Sequence, residues 1–100
     1  MTLPRMPQRV RDIVNEVCAT HGLKIDAVVS NKRYRKCVQA RQEIFYRLFA
    51  LGAPYSSVRI GAYFGFDYTS VLYTIASYQR RTGAPKLVNY GDNGRWKDAA

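Results

Sequence analysis

The sequence predicts an all-α domain of about five helices, two of them joined as a helix-turn-helix. Three observations carry that reading. Apolar residues recur at three- and four-residue spacing in the segments around Val10–Cys18, Val38–Phe49 and Val71–Ala76. Gly22, Gly52-Ala53-Pro54 and Gly65 punctuate these segments. Serines 56 and 57 and Asp67 stand where the last two helices need capping residues. One hundred residues allow one domain. A chain of this size buries about two-thirds of its unfolded surface, enough for a modest core.

The first helix is predicted from about Pro7 to Thr20. Val10, Ile13, Val14, Val17 and Cys18 share one face, opposite Arg9, Arg11, Asp12, Asn15 and Glu16. Gly22 ends it, and His21 reads as a surface group suited to a helix C-terminus. A short helix follows from Ile25 or Asp26 to Val29. The run Ser30 to Lys36 then places Lys32, Arg33, Arg35 and Lys36 within five positions, which favours a phosphate-binding loop over an ordinary solvated one.

A longer helix is predicted from Cys37 to Leu51, with Val38, Arg41, Ile44, Phe45, Leu48 and Phe49 on one stripe. Arg41 is expected at the edge of that stripe, near the basic loop. Tyr55 to Tyr63 forms a short helix with Ser56 or Ser57 as cap and Val58, Ile60, Ala62 and Tyr63 as apolar positions. Gly61 inside it costs ~1 kcal/mol relative to Ala and so points to close packing. Phe64-Gly65-Phe66 is the turn, and Asp67 caps a helix from Tyr68 to Arg81.

Periodicity puts Tyr68, Val71, Leu72, Ile75, Ala76 and Gln79 on the inner side of that last helix. The outer side carries Thr69, Ser70, Tyr73, Thr74, Ser77 and Arg80. It is small, hydroxyl-rich and almost uncharged, as a groove-reading helix needs: hydroxyls bond base edges or phosphates, and methyls pack on thymine. Residues 83–100 lose all periodicity and are read as a tail to a helical domain of residues 1–82. Leu87, Val88, Tyr90 and Trp96 are its docking points. The tail is also the expected place for a dimer interface. Trp96 is compatible with covering the core edge, meeting a partner or staying free.

Sixteen Lys plus Arg against seven Asp plus Glu give a net charge of +9. That excess calls for a polyanion, either nucleic acid or an anionic membrane surface. The basic residues cluster in a loop rather than along one amphipathic helix, which argues against a membrane. No apolar stretch approaches the ~20 residues of a transmembrane helix, and no secretory signal is visible. Cys18 and Cys37 lack metal-ligand spacing; they read as partly buried reduced thiols, with a single disulfide as the alternative. One histidine and seven scattered carboxylates offer no catalytic set, so neither enzyme activity nor a cofactor is expected.

Four blocks of residues carry a resemblance to a known family. They are Lys32-Arg33-Tyr34-Arg35-Lys36, Ala40-Arg41-Gln42, Ile60-Gly61-Ala62-Tyr63-Phe64-Gly65 and Asp67-Tyr68-Thr69-Ser70-Val71-Leu72-Tyr73. In order and spacing they resemble the C-terminal DNA-binding domain of the bacterial replication initiator DnaA, from about Val10 to Arg81. The resemblance implies a Trp-repressor-like fold that binds double-stranded DNA in the cytoplasm, associated with the nucleoid. It implies that Asp67, Tyr68, Thr69 and Ser70 face bases and adjoining phosphates in the major groove, with Tyr73 beside them. Lys32, Arg33, Arg35, Lys36 and Arg41 would lie on the backbone and minor groove. Ser57 and Arg59 in the preceding helix join the candidate contacts.

Three departures bear on the target. Gln39 stands where the family has a minor-groove arginine, Tyr68 where it has histidine, and Ser70 where it has a second threonine. The Gly-Phe-Asp junction is one residue shorter than the common Gly-Gly-Arg-Asp form. No GxxxxGK[ST] phosphate loop occurs in the sequence. The expected function is therefore a small transcriptional or replication regulator that reads a DNA sequence without an ATPase. The alternative is a basic interaction module for RNA or an acidic protein on an inherited helix-turn-helix fold.

Overall fold

The computed structural model describes residues 6–29 and 34–88. It contains α1 (Gln8–His21), α2 (Ile25–Val29), α3 (Arg35–Ala50), α4 (Ser57–Phe64) and α5 (Tyr68–Thr82). The all-α architecture and the five-helix count match the sequence expectation. The central element is α3, which packs against each of the other four helices.

The core follows the predicted stripes. Val10, Val14 and Val17 of α1 meet Ile44, Phe45 and Leu48 of α3, and Val71, Ile75 and Ala76 of α5; all are fully buried. Phe45 sits at the middle. Its ring centroid lies 5.1 Å from Phe64 and 5.7 Å from Phe66, the latter edge-on. Burying a side chain of this kind contributes about 1.5–3 kcal/mol. Cys18 and Cys37 are both free and fully buried, more so than expected. Burial pushes the Cys18 thiol above its ordinary value.

Four details differ from the sequence reading. First, α3 begins at Arg35 rather than Cys37, with Tyr34 as its extended N-cap and the Val38 N–H returning to the Tyr34 carbonyl at 2.9 Å. Nothing between Tyr34 and Cys37 breaks a helix, and Arg and Lys are good helix formers. Second, α4 begins at Ser57, because the Tyr55 N–H closes a turn onto the Gly52 carbonyl. Ser56 is the residue that caps it, accepting the Arg59 N–H at 3.2 Å. Third, Val58, an apolar position of the pattern, is 64% exposed, and Ala62 is also exposed; the inner face of α4 is Ile60, Gly61 and Phe64. Fourth, Tyr68 is 53% exposed and not on the inner side of α5. It is the first helical residue, ahead of the turn that meets the core.

The chain after α5 docks on the helices. Gln79 is buried and holds an extended segment by its backbone: its side-chain oxygen accepts the Leu87 and Val88 N–H groups at 2.6 and 2.9 Å, and its amide donates to the Val88 carbonyl at 3.0 Å. The Tyr46 hydroxyl donates to the Pro85 carbonyl at 2.7 Å. Tyr90 and Trp96 lie outside the described residues. On the other side of α3, His21 bonds Glu43 at 3.0 Å, and Arg47 reaches Glu16 at 2.6 Å.

The α4–α5 junction depends on Gly61. Gly65 takes a left-handed conformation and returns the Phe66 N–H to the Gly61 carbonyl at 2.9 Å. A Cβ on Gly61 would overlap the Phe66 carbonyl oxygen, with the Phe66 carbonyl carbon at 3.2 Å and Val71 Cγ2 at 3.4 Å. The obstacle is backbone and cannot swing aside. Gly61→Ala is therefore expected to destabilise the domain by about 2 kcal/mol in urea unfolding, the overpacking cost exceeding the gain in helix propensity. A gain of ~1 kcal/mol, as propensity alone would give, would contradict this packing.

Candidate nucleic-acid interface

The start of α5 is built by Asp67. Its carboxylate accepts the Ser70 N–H at 2.8 Å and the Thr69 hydroxyl at 3.0 Å. These bonds, that from the Ser70 backbone foremost, hold the carboxyl below its usual range. The charge also suits the positive end of the helix dipole. Because the Thr69 hydroxyl gives its proton to Asp67, its oxygen lone pairs and its methyl group remain for a partner. Thr74 spends its proton on the Ser70 carbonyl at 2.7 Å. Tyr68 and Tyr73 stand out from this surface at 53% and 50% exposure, and Thr69 and Ser70 are half-buried between them. The Arg80 guanidinium lies 5.9 Å from the Tyr73 ring centroid.

Ser57 is the half-buried first residue of α4, and Arg59 is exposed within its first turn. Arg35 and Lys36 are exposed in the first turn of α3, so two of the four cations of the expected basic loop are helical. Gln39 is half-buried one turn further on. Lys32 and Arg33 lie outside the described residues.

Arg41 departs most from its expected place. It is only 6% exposed, not at a solvent edge with the loop cations. Its Nε–H donates to the Val28 carbonyl at 3.1 Å, and its guanidinium lies 5.5 Å from the Phe66 ring centroid. Burial lowers its pKa, opposed by its interaction with Cys37. A planar guanidinium suits such a site, because it bonds in its plane and stacks on its face. Arg41 thus links the last turn of α2, at Val28, to the turn before α5. The helical period put it correctly near the stripe; the partners that bury it come from two other elements and leave no local signal.

A carbonyl-bonded, buried arginine holding a short helix and a helix-turn-helix together, beneath an exposed hydroxyl- and tyrosine-bearing helix, defines a small helix-turn-helix domain. The family model described as the bacterial dnaA protein helix-turn-helix matches residues 10–77. The chain belongs to that family, whose domains bind DNA. No curated protein and no solved structure matches the chain significantly. Among the described residues no helix is long and apolar enough to cross a membrane, and no group of His, Cys, Asp and Glu could hold a metal ion.

The Asp67 cap has a pH signature. A carboxylate with a depressed folded pKa contributes stability above its unfolded value and loses it as pH falls through the folded value. Asp67→Asn retains a capping oxygen without the titration. Thermal melts from neutral to strongly acidic pH should therefore show the wild type losing more of its Tm than Asp67→Asn. Parallel losses in the two proteins would remove the cap from the account.

Proposed function

We propose that the domain recognises a specific sequence in double-stranded DNA, with the N-terminal half of α5 in the major groove. The observation that carries this reading is the face of Asp67, Tyr68, Thr69, Ser70 and Tyr73, with Asp67 and the tyrosines exposed and Thr69 and Ser70 half-buried between them. Its protonless acceptors, methyl and aromatic edges match what base edges present. Thr69 and Ser70 accept from base amino groups, and Tyr68 and Tyr73 flank them. Ser57 and Arg59 at the start of α4 meet the adjoining backbone. Lys32, Arg33, Arg35, Lys36 and Gln39 engage phosphates and the neighbouring minor groove. Arg41 is not among the contacts; it holds the two halves in register from within.

Gln39 supplies hydrogen bonding without the charge that favours a narrow minor groove, so discrimination on that side is weaker and shifts toward α5. The reading places the domain in the control of transcription or replication, acting by occupying a site rather than by hydrolysing a nucleotide.

Two kinds of substitution separate specificity from grip. Thr69→Ala should cost about 1–3 kcal/mol on a site selected from random duplexes and much less on an unrelated duplex. Arg35→Ala should weaken both alike. Five phosphate-contacting cations give a slope of log K against log salt of about −4 to −5. Anisotropy titrations check all three. No preference among duplexes, or competition by single-stranded RNA as strong as by duplex DNA, would favour the basic interaction module instead.

A further inference from the structure

Arg47 of α3 and Arg81 of α5 are held in different ways. Arg47 is neutralised: its Nη2 lies 2.6 Å from Glu16 Oε1 and its Nη1 3.9 Å from Glu43 Oε2. Arg81 is anchored without being neutralised. Its Nε–H donates to the Gln42 side-chain oxygen at 2.9 Å, and its guanidinium lies 5.5 Å from the Tyr78 ring centroid. Tyr78 is itself packed on Tyr46, with ring centroids 4.7 Å apart. An amide orients a guanidinium but leaves its full positive charge for something else.

That charge borders a groove of about 330 Å³ between the first half of α3 and the last turn of α5. Its lining is Arg35, Val38, Gln39, Gln42 and Arg81, with two guanidiniums from different helices, two primary amides and no carboxylate. One anchored guanidinium, a second beside it and no carboxylate match a phosphodiester, for which guanidinium is the preferred planar partner.

We propose that this groove is a second phosphate-binding site for the DNA backbone, in which Arg81, held by Gln42 and Tyr78, acts with Arg35. The proposal rests on the duplex-binding reading above and adds a contact to it. At 1.5 Å per residue, Arg81 lies about 20 Å along the helix axis from Asp67. The major groove is about 12 Å wide, so the C-terminal end of α5 reaches past the bases to the bordering backbone. Because Arg81 and Arg35 line one groove, a strand gripped by Arg35 also passes Arg81. The contact carries no base information; it fixes how far α5 is turned in the groove.

The test uses the full chain and a duplex titrated over a salt series. Gln42→Glu turns the amide anchor into an ion-pair partner that neutralises Arg81 in place. Arg81→Gln removes the cation. Each should weaken duplex binding several-fold at about 0.1 M salt and reduce the salt slope by ~0.9, one phosphate's worth. Arg11→Gln, an exposed cation on α1, should leave the slope unchanged. Circular dichroism melts establish that the compared variants are folded. If Gln42→Glu does not fold, Arg81→Gln carries the test. Wild-type slopes in both folded variants, with Thr69→Ala still relaxing base preference, would overturn this site and leave the main reading standing. A wild type that binds no duplex would overturn both.

Discussion

The close approach of Gly61 to the Phe66 carbonyl sets the geometry on which the rest depends. It lets α4 and α5 meet across a turn of only Gly65, Phe66 and Asp67. Phe66, held there, meets Phe45 edge-to-face and lies under the Arg41 guanidinium. Arg41 in turn bonds the Val28 carbonyl, at the end of α2 where the basic segment departs. A chain of contacts thus runs from the helix-turn-helix turn to the root of the loop. Two surfaces far apart in sequence are held in one register by a missing Cβ, an aromatic ring and a buried cation. Loss of the ring or of the cation would leave a buried charge or a gap, and a Cβ at Gly61 would force the backbone apart; each is costly.

Much of the fold was legible because it follows local rules. The 3.6-residue stripes of α1, α3 and α5, the glycine ends and the Asp67 cap are properties of neighbouring residues. Gly61 was also legible, since a glycine in a helix needs a reason. Interactions across the chain were not. Arg41 lay on the predicted stripe, but nothing local says that Val28 and Phe66 would enclose it. Gln79 was placed on the inner face, yet its role as a clamp on residues 87 and 88 depends on a segment with no periodicity. His21 read as a plain surface group, whereas the fold brings Glu43 against it. Tyr68 shows the limit of periodicity at a helix start: the pattern turned it inward, the resemblance to the initiator family turned it outward, and it is exposed.

The surplus of positive charge acquires a direction from the way its members are held. The acidic side chains of the α1–α3 face are engaged with Arg47 and His21. Arg35, Lys36 and Arg59 are exposed, and Arg81 is anchored by a neutral amide. A polyanion is thereby drawn to the side carrying the start of α3 and the exposed face of α5, rather than to the molecule at large. In the proposed function, grip and specificity fall to different chemistries: cations would supply a salt-dependent grip, and a nearly uncharged helix face the discrimination. Membership of the dnaA helix-turn-helix family accords with a DNA partner.

The most direct measurement is amide chemical-shift mapping by NMR during titration with a duplex selected from a random pool. The account predicts that shifts concentrate at residues 67–73 of α5, at Ser57 and Arg59, at Arg35 to Gln42, and at Arg81. The amides of α1 should stay unmoved. Shifts centred on α1 and α2, or an identical pattern with single-stranded RNA, would contradict the reading of α5 as the element that enters the DNA groove.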